Sequence, residues 1–207
     1  MVDGGIDLSV EYWKRPESAA EFEEYWNRRN KASLLRRWGL VERLAKKPLY
    51  FSLLDVGCGI GNLVAFTTLA NEDNYYGIDI SPPMVERAKV LHQGFRFEAI
   101  DPMKLDGRWN LVVAHGLLLH QHDPFPMLRK LVKLTGSCLI FDELVTNKGY
   151  SERSPHGYWT RVLGSEEYTF MKDELAKEFV VEEVLFDTWG QNREYYLSCR
   201  RFDAPIS

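Results

Sequence analysis

The first glycine-rich stretch of the chain, residues 53–61, combines three glycines with an aspartate, which are residue types suited to binding a ligand. Its apolar start predicts a strand covered on both faces. Gly57, Gly59 and Gly61 then allow the backbone to turn sharply and lie close to a ligand, because glycine has no Cβ. The helix predicted next would direct its free N–H groups at that ligand, and Asp55 could meet a cation or hydroxyl there. The pattern indicates a site for a nucleoside-like cofactor.

A second carboxylate strengthens this interpretation. Asp79 ends the next predicted strand and lies 22 residues after Gly57, close to the spacing of about 20 expected for a carboxylate that binds ribose hydroxyls. Its two acceptor oxygens suit a vicinal diol and would repel a 2′-phosphate. The alternative is an ordinary turn-forming aspartate at a strand end.

These two segments and three later ones resemble the class I S-adenosylmethionine (SAM) dependent methyltransferases. The similarity covers residues 50–144 well and the flanks loosely. The family's motifs are similar to residues 55–61, 77–81 with 84–88, 97–101, 109–124 and 136–143, in the family's order. The resemblance implies SAM as cofactor, S-adenosylhomocysteine (SAH) as product, and no metal.

A nicotinamide-dependent dehydrogenase is the competing interpretation of the glycine-rich stretch. Its fingerprint is Gly-x-Gly-x-x-Gly. Counted from Gly57, the sixth position is Asn62, and counted from Gly59 it is Val64. The acid at Asp55, ahead of the turn, also favours SAM, which has no pyrophosphate to bind.

The composition is that of a soluble globular protein of one domain. The chain has 207 residues, 45% hydrophobic and 27% charged, with a net charge of −4, which argues against a mainly nucleic-acid-binding surface. Cys58, Cys138 and Cys199 are scattered, as expected for reduced thiols. The sequence shows no secretory signal and no apolar run of about 18 residues. We therefore expect a cytoplasmic protein that does not enter a membrane.

The alternation of apolar strands with helices predicts an α/β fold with a parallel sheet and helices on both faces. Two later strands, near 180–188 and 194–201, are joined too closely for a parallel crossover and should form an antiparallel hairpin. The family resemblance implies a Rossmann-like, doubly wound, mostly parallel sheet of seven strands ending in that hairpin. The earlier strands are predicted near 51–56, 74–79, 95–99, 109–114 and 136–142, and helices near 61–70, 82–91 and 123–134.

Four segments make up the predicted single domain, residues 1–207. They are an N-terminal helical cap with the first helix (1–48), a SAM-binding core (49–144), a lid or acceptor-binding insertion (145–165), and a C-terminal helix and hairpin (166–207). In open α/β sheets, ligands bind beyond the carboxyl ends of the strands. The cap and the insertion are therefore expected to cover the pocket, although most of their aromatic residues should only pack against the core.

The resemblance also assigns cofactor contacts. It implies that Asp55 faces the amino group of SAM, that the glycines pass under the methionine moiety, and that Asp79 binds the ribose. Ile80 and Met84 would pack on adenine, and Asp101 would accept a hydrogen of its amino group. Pro102 has no N–H to offer adenine, so that contact would come from Met103 or a water, or be absent. The implied cofactor-binding residues are Asp55, Gly57, Gly59, Gly61, Asp79, Ile80, Met84, Asp101, Met103 and His115.

Two histidines near the end of the fourth strand are the candidate catalytic residues. His115 matches a position whose backbone carbonyl meets the cofactor amine in the family, so its side chain could face the acceptor. His120 matches a histidine frequent in the small-molecule branch. A neutral imidazole can take a proton from an acceptor, whereas the alternative for both is a packing role. His122 is predicted to precede a helix that Asp123 caps.

The candidate acceptor-binding residues lie in the cap and the insertion. Asp142 and Glu143 end the fifth strand and could steer a cationic amine, act as a base, or begin a solvated loop. A run of arginines and lysines between residues 28 and 47 is predicted to be mostly a solvated helix face. The predicted substrate residues are Tyr25, Trp26, Arg29, His156, Tyr158 and Trp159.

These observations predict a SAM-dependent methyltransferase that acts on an oxygen or nitrogen of a small molecule. One alternative is a methyltransferase of tRNA or protein, which the acidic net charge weakens. Another is a SAM-binding or partner-binding module without activity. The sequence names neither the acceptor nor the oligomeric state.

Overall fold

A computed structural model describes residues 8–28, 31–45, 52–153 and 158–202. Its helices are α1 (Leu8–Trp13), α2 (Ser18–Arg28), α3 (Lys31–Ala45), α4 (Asn62–Phe66), α5 (Pro82–Leu91), α6 (Pro124–Leu134) and α7 (Ser165–Leu175). Its strands are β1 (Leu53–Val56), β2 (Tyr75–Asp79), β3 (Arg96–Ala99), β4 (Trp109–Ala114), β5 (Thr135–Thr146), β6 (Lys148–Arg153), β7 (Trp159–Gly164), β8 (Phe179–Trp189) and β9 (Asn192–Arg201). Two short 3₁₀ helices span Pro102–Lys104 and Leu118–His120.

The central sheet has parallel strands in the order β3-β2-β1-β4-β5, and its far side is antiparallel. Residues 138–145 of β5 pair with β9, which pairs in turn with β8. This core of seven strands confirms the predicted doubly wound α/β fold with its C-terminal antiparallel hairpin.

The insertion after β5 forms strands where the sequence analysis predicted none. β6 and β7 form an antiparallel hairpin, and the last residues of β5, Val145 and Thr146, pair in parallel with Leu163 and Gly164 of β7. The sheet therefore has nine strands among the described residues, two more than predicted. Beyond Val145, where its register with β9 ends, β5 runs on and holds the hairpin at the carboxyl end of the sheet.

Each face of the sheet is covered by its own set of helices. Residues of α3, α4 and α5 pack on one face with Leu111, Val113 and Ile140. Residues of α6 and α7 pack on the other face with Val112 and Phe141. Because successive strand residues point to opposite faces, neighbours at a strand end also face opposite layers.

Local signals fix the helices that frame the site. Ser81 caps α5 by accepting the N–H of Met84, with Pro82 at the first helical position, and Asp123 caps α6, as predicted. The helix predicted over 61–70 ends at Phe66. There, the hydroxyl of Thr67 donates to the carbonyl of Leu63 and accepts the N–H of Leu69, and Thr67 itself is extended.

Candidate cofactor and acceptor site

The glycine-rich loop lies at the carboxyl ends of β1 and β2. Gly57, Gly59 and Gly61 have φ values of 73°, 53° and 87°, in the left-handed region that favours glycine. The N–H groups of Gly57 and Cys58 both donate to the carbonyl of Ile78, at 2.8 and 3.0 Å. The loop is therefore tied to β2 and leaves the close backbone approach that a ligand needs.

Asp79 lies directly beside this loop. One carboxylate oxygen accepts the N–H of Gly59 at 2.9 Å, and the other accepts the N–H of Ser81 at 2.9 Å. Burial raises the pKa of Asp79, although these backbone donors oppose the shift. Each oxygen retains a second lone pair, so the carboxylate can still accept a diol.

Asp55 lies deeper than its predicted role requires. Its side chain is 3% exposed, and it accepts a hydrogen bond from the hydroxyl of Tyr75 at 2.9 Å. Burial raises the pKa of Asp55 to about 7, the Tyr75 hydrogen bond opposes the shift, and Asp79 adds to it. This geometry makes Asp55 a support beneath the loop, and its contact with the cofactor amine stays a prediction.

The predicted adenine end of the site is formed by two groups of residues. Met84 is buried and packs with Ile60, while Ile80 is half-buried. Asp101 accepts the N–H of Met103 at 2.9 Å and so caps the short 3₁₀ helix. The N–H of Met103, which we predicted could replace the missing donor of Pro102, is therefore already used.

The helices α1 and α2 cover the glycine-rich loop. A Cβ at Gly59 would lie 3.2 Å from Cε1 of Phe22, and Phe22 and Trp13 pack around Met84. Arg87 of α5 binds Glu23 of α2 through two hydrogen bonds of 2.7 Å each. The hydroxyl of Ser81 donates to the carbonyl of Trp13. These contacts place the N-terminal cap over the cofactor side of the site.

Four aromatic rings, Tyr12, Trp13, His120 and Tyr158, form an aromatic cluster between this cap and the rest of the site. The ring centroid of Trp13 lies 5.3 Å from that of His120 and 5.5 Å from that of Tyr158. His120 and Tyr158 are 5.3 Å apart with their rings perpendicular. The structure thus brings together two predicted residues, His120 and Tyr158, with two aromatic residues that were not assigned to the site.

His115 follows β4 and meets the end of β5. Its Nδ1 lies 3.0 Å from an oxygen of Asp142, whose other oxygen accepts the N–H of Gly116 at 2.6 Å. Burial acts to raise the pKa of Asp142, but His115, the Gly116 N–H and Arg37 outweigh it, so that pKa lies below its usual value. Asp142 is therefore an ionised acceptor, and the possibility that it begins a solvated loop is wrong.

A buried ion pair continues these contacts toward α3. Arg37 and Glu194 form a two-pronged ion pair with side chains 5% and 3% exposed. Arg37 also donates to the hydroxyl of Tyr196 at 2.9 Å, and that hydroxyl lies 3.3 Å from Nδ1 of His115. The prediction of a solvated helix face is therefore wrong for Arg37. We call Arg37, His115, Asp142, Glu194 and Tyr196 the polar network.

Glu143 points to the opposite face of β5 and is fully buried. One of its carboxyl oxygens accepts the backbone N–H of Leu144 at 3.0 Å, and the other oxygen has no hydrogen-bond partner. Burial raises the pKa of Glu143 well above its usual value. A solvated loop start is thus wrong for Glu143 as well.

The remaining predicted substrate residues are not brought to the site by the described contacts. Tyr25 lies on α2 and is 50% exposed. Trp26 and Trp159 belong to α2 and β7, and Arg29 and His156 lie outside the described residues. Their roles stay predictions.

Sequence reasoning missed the residues that are distant along the chain. Trp13 and Phe22 lie in the cap, whose aromatic residues were mostly expected only to pack against the core, and Tyr196 lies in a strand that looks like ordinary core. Glu194 carries a charge in a strand whose burial no local pattern reveals. The signal that could have found Arg37 is its place on the apolar side of α3, since it lies three residues after Leu34 and four before Val41, which are both buried.

Two further observations concern only the described residues. Among them, no group of three or more histidine, cysteine, aspartate and glutamate side chains is arranged to hold a metal ion. None of the described helices is long and apolar enough to cross a lipid bilayer.

Comparison with known proteins finds similarity to methyltransferases. Residues 54–137 match the family model described as a methyltransferase domain. A stretch of 130 residues is 30% identical to ajmaline N-methyltransferase from Rauvolfia serpentina and covers 57% of this chain and 44% of that protein. The chain thus spans less than half the length of this curated relative.

Solved structures share the fold across nearly the whole chain. A 1,6-didemethyltoxoflavin-N1-methyltransferase from Burkholderia thailandensis, with SAH bound, has a TM-score of 0.70 at 17% identity, covering 98% of this chain and 94% of its own. The magnesium protoporphyrin IX methyltransferase from Synechocystis PCC 6803, with SAM bound, has a TM-score of 0.67 at 20% identity, covering 97% and 100%. At these identities the likeness establishes the fold, and the predicted fold class is confirmed.

Proposed function

We propose that the chain is a class I SAM-dependent methyltransferase that transfers a methyl group from SAM to an oxygen or nitrogen of a small-molecule acceptor. The observation that carries the proposal is the convergence of three features at one edge of the sheet. These are the positive-φ glycine loop, the carboxylate of Asp79 and the Asp142-held imidazole of His115.

The residues of the loop fit SAM on physical grounds. Three left-handed glycines provide the close backbone approach, and the raised pKa values of Asp55 and Asp79 reflect buried carboxylates that donors of a ligand would stabilise. Asp79 would accept the ribose hydroxyls. Ile80 and Met84 would pack on adenine, and Asp101 remains the candidate acceptor for its amino group.

When bound, SAM supplies an electrophilic methyl group on a sulfonium. The chain's task is then to hold the acceptor in line and to remove its proton. Asp142 is ionised and acceptor-only, so it favours a proton on Nδ1 of His115 and a lone pair on Nε2. We assign His115 as the base, and we assign His120 to the wall of the acceptor site, because it packs in the aromatic cluster.

The acceptor is proposed to bind under the cap and the β6–β7 hairpin. The aromatic cluster joins these two segments, and its electron-rich faces suit an aromatic or cationic small molecule. The names of two similar proteins, ajmaline N-methyltransferase and 1,6-didemethyltoxoflavin-N1-methyltransferase, state nitrogen methylation. They support a nitrogen acceptor over a carbon one.

The first experiment is a calorimetric titration of the full chain with SAH, with NAD titrated in parallel. Micromolar binding of SAH and none of NAD is expected. No binding of SAH would overturn the proposal, and binding of NAD would favour the dehydrogenase. A panel of heterocyclic amines and phenols, with tRNA and protein extract beside it, would then be tested for methylated products by mass spectrometry. Binding of SAH without any methylated product from the panel would support the alternative that the chain is a SAM-binding module without catalytic activity.

The assignment of the base is tested by His115→Ala. Loss of a general base is expected to lower kcat by about 10²- to 10⁴-fold, while SAH affinity measured by calorimetry changes little. His122→Ala, at an exposed position, is the matched control. An unchanged kcat for His115→Ala would show that the displacement needs no base from this residue.

A further inference from the structure

We propose that Arg37, Glu194 and Tyr196 are positioning residues that, together with Asp142, fix the ring of His115 in one orientation and as the Nδ1–H tautomer. This inference rests on the proposed function for its consequence in catalysis. The tautomer itself is a property of the chain and can be measured without any acceptor.

The first step is the contact between His115 and Asp142. Nδ1 and a carboxylate oxygen are 3.0 Å apart, a distance that needs a hydrogen between them, because two lone pairs would repel. The carboxylate can only accept, so the hydrogen belongs to Nδ1. Asp142 is itself held by the N–H of Gly116 at 2.6 Å. The acceptor for the imidazole is therefore fixed on both of its oxygens.

The second step is the orientation of the ring. Tyr196 stacks on His115, with ring centroids 5.8 Å apart and planes inclined by 29°. Trp38 meets the same ring edge-on, at 5.0 Å and 87°. These two contacts restrict rotation about the ring axis, so Nδ1 stays directed at Asp142.

The third step explains the buried ion pair. The hydroxyl of Tyr196 accepts from Arg37 at 2.9 Å, and Arg37 is fixed by Glu194 through both carboxylate oxygens. The Arg37 guanidinium also lies 4.7 Å from the ring centroid of Phe186. A buried ion pair costs desolvation and is weak evidence for a gain in stability. Its value here is to hold Tyr196 against His115.

The net charge of the polar network is consistent with a role for His115 as a proton acceptor. Arg37 contributes one positive charge, whereas Glu194 and Asp142 contribute two negative charges when ionised. A proton accepted by His115 would bring the group to neutrality. The network thus suits an imidazole that takes up a proton during the reaction.

The test is long-range ¹H–¹⁵N correlation NMR of the histidine side chains of the full chain, with and without SAH. The sequence has five histidines, and His115 is assigned by comparison with His115→Gln. We expect wild-type His115 to show the Nδ1–H pattern alone. Asp142→Asn should abolish that preference, and Tyr196→Phe should give a mixture of tautomers.

Tyr195→Phe is the matched control, because Tyr195 stacks on Tyr168 on the other face of the sheet. For Tyr196→Phe we expect kcat to fall by about two- to tenfold, the change that one hydrogen bond corresponds to, with KM unchanged. Tyr195→Phe should leave both the tautomer and the kcat unchanged. The thermal unfolding of each variant verifies that it is folded.

The outcomes separate this inference from the proposed function. An Nε2–H tautomer in the wild-type chain, or an unaltered tautomer in Tyr196→Phe, would overturn the inference even where SAH binds and methyl transfer occurs. A fixed Nδ1–H tautomer that Tyr196→Phe disturbs would support the inference even where SAH does not bind. In that second case the proposed function alone fails.

Discussion

The buried carboxylates on the two sides of the proposed site have different kinds of partner. The cofactor side is the glycine-rich loop with Asp55 and Asp79, and the acceptor side is the polar network around His115. On the cofactor side, the partners of Asp55 and Asp79 are a tyrosine hydroxyl and backbone N–H groups, and the pKa of each carboxyl is raised. On the acceptor side, Asp142 lies beside His115 and its pKa is lowered, and Glu194 lies beside Arg37, although burial still raises the pKa of Glu194. The carboxylates of the cofactor side would be stabilised by hydrogen-bond donors of a bound ligand, whereas those of the acceptor side are already paired with side chains of the protein.

This contrast separates binding from positioning. Buried carboxylates whose present partners are uncharged, such as Asp55 and Asp79, gain when they accept hydroxyl or ammonium donors from a ligand, which makes ligand binding favourable. Carboxylates already paired with the chain's own cations have less to gain from a ligand, and they hold other side chains in place. Mutations on the two sides should therefore act on different measured quantities.

The largest effect is expected for the ion pair of the acceptor side. Arg37→Met would leave Glu194 buried without its cation, which costs about 3–5 kcal/mol in unfolding free energy. Urea denaturation measures this loss. Arg36→Met is the matched control, because Arg36 pairs with Asp187 at 3.2 Å in an exposed position, where a pair is worth about 1 kcal/mol or less. Equal losses for the two variants would mean that burial of the first pair has no energetic consequence.

The next effect concerns pH and the cofactor side. The pKa of Asp55 is raised from 3.8 to about 7, so between these values the folded chain binds more protons than the unfolded chain. The stabilising contribution of Asp55 is therefore complete below about pH 4 and is lost as the pH rises through about 7. At about 1.4 kcal/mol per pKa unit, the loss is at most about 4 kcal/mol.

Asp55→Asn should remove this pH dependence. Denaturation of the wild type and of the variant, between pH 4 and pH 8, would show a slope in the first that the second lacks. Asp173→Asn on α7, at an exposed position, is the control and should follow the wild type. Parallel curves for Asp55→Asn and the wild type would contradict the prediction.

These two sides also differ in how far the sequence predicts them. The cofactor side is encoded locally: the glycines, the strand ends and the cap of α5 lie within short stretches, and the helix predicted over 82–91 is observed over Pro82–Leu91. Left-handed glycines and capping residues act over a few positions, so their patterns can be read without knowledge of the fold.

The acceptor side depends on contacts between distant segments. Arg37 and Glu194 are separated by 157 positions, and a charge on a helix otherwise predicts a solvated face. The β6–β7 hairpin also escaped prediction, because its pairing partner is the extension of β5 and its residues are polar, aromatic and turn-forming. Only the assembled sheet reveals that these groups meet.

A smaller effect is expected for cofactor affinity. Asp79→Ala removes the proposed acceptor of the ribose diol, and hydrogen bonds to a charged group are worth about 1.5–3 kcal/mol, or about 10- to 100-fold in affinity for SAH. Calorimetry measures the change, with Asp173→Ala as control and Asp79→Asn expected to be intermediate. SAH affinity that stays at the wild-type value in Asp79→Ala would refute the ribose assignment.

The smallest effect is expected at Glu143, the neighbour of Asp142 on the other face of β5. Burial raises its pKa well above the usual value and so favours the protonated carboxyl, and one oxygen lacks a partner. Glu143→Gln keeps the size and matches the uncharged form that burial favours, so the unfolding free energy at pH 7 should change by about 1 kcal/mol or less. As the pH rises through the raised pKa of Glu143, the wild type should lose stability, and the variant should not. A loss of stability comparable to that of Arg37→Met would mean that Glu143 is ionised and paired, and that the comparison between the two faces of β5 is wrong.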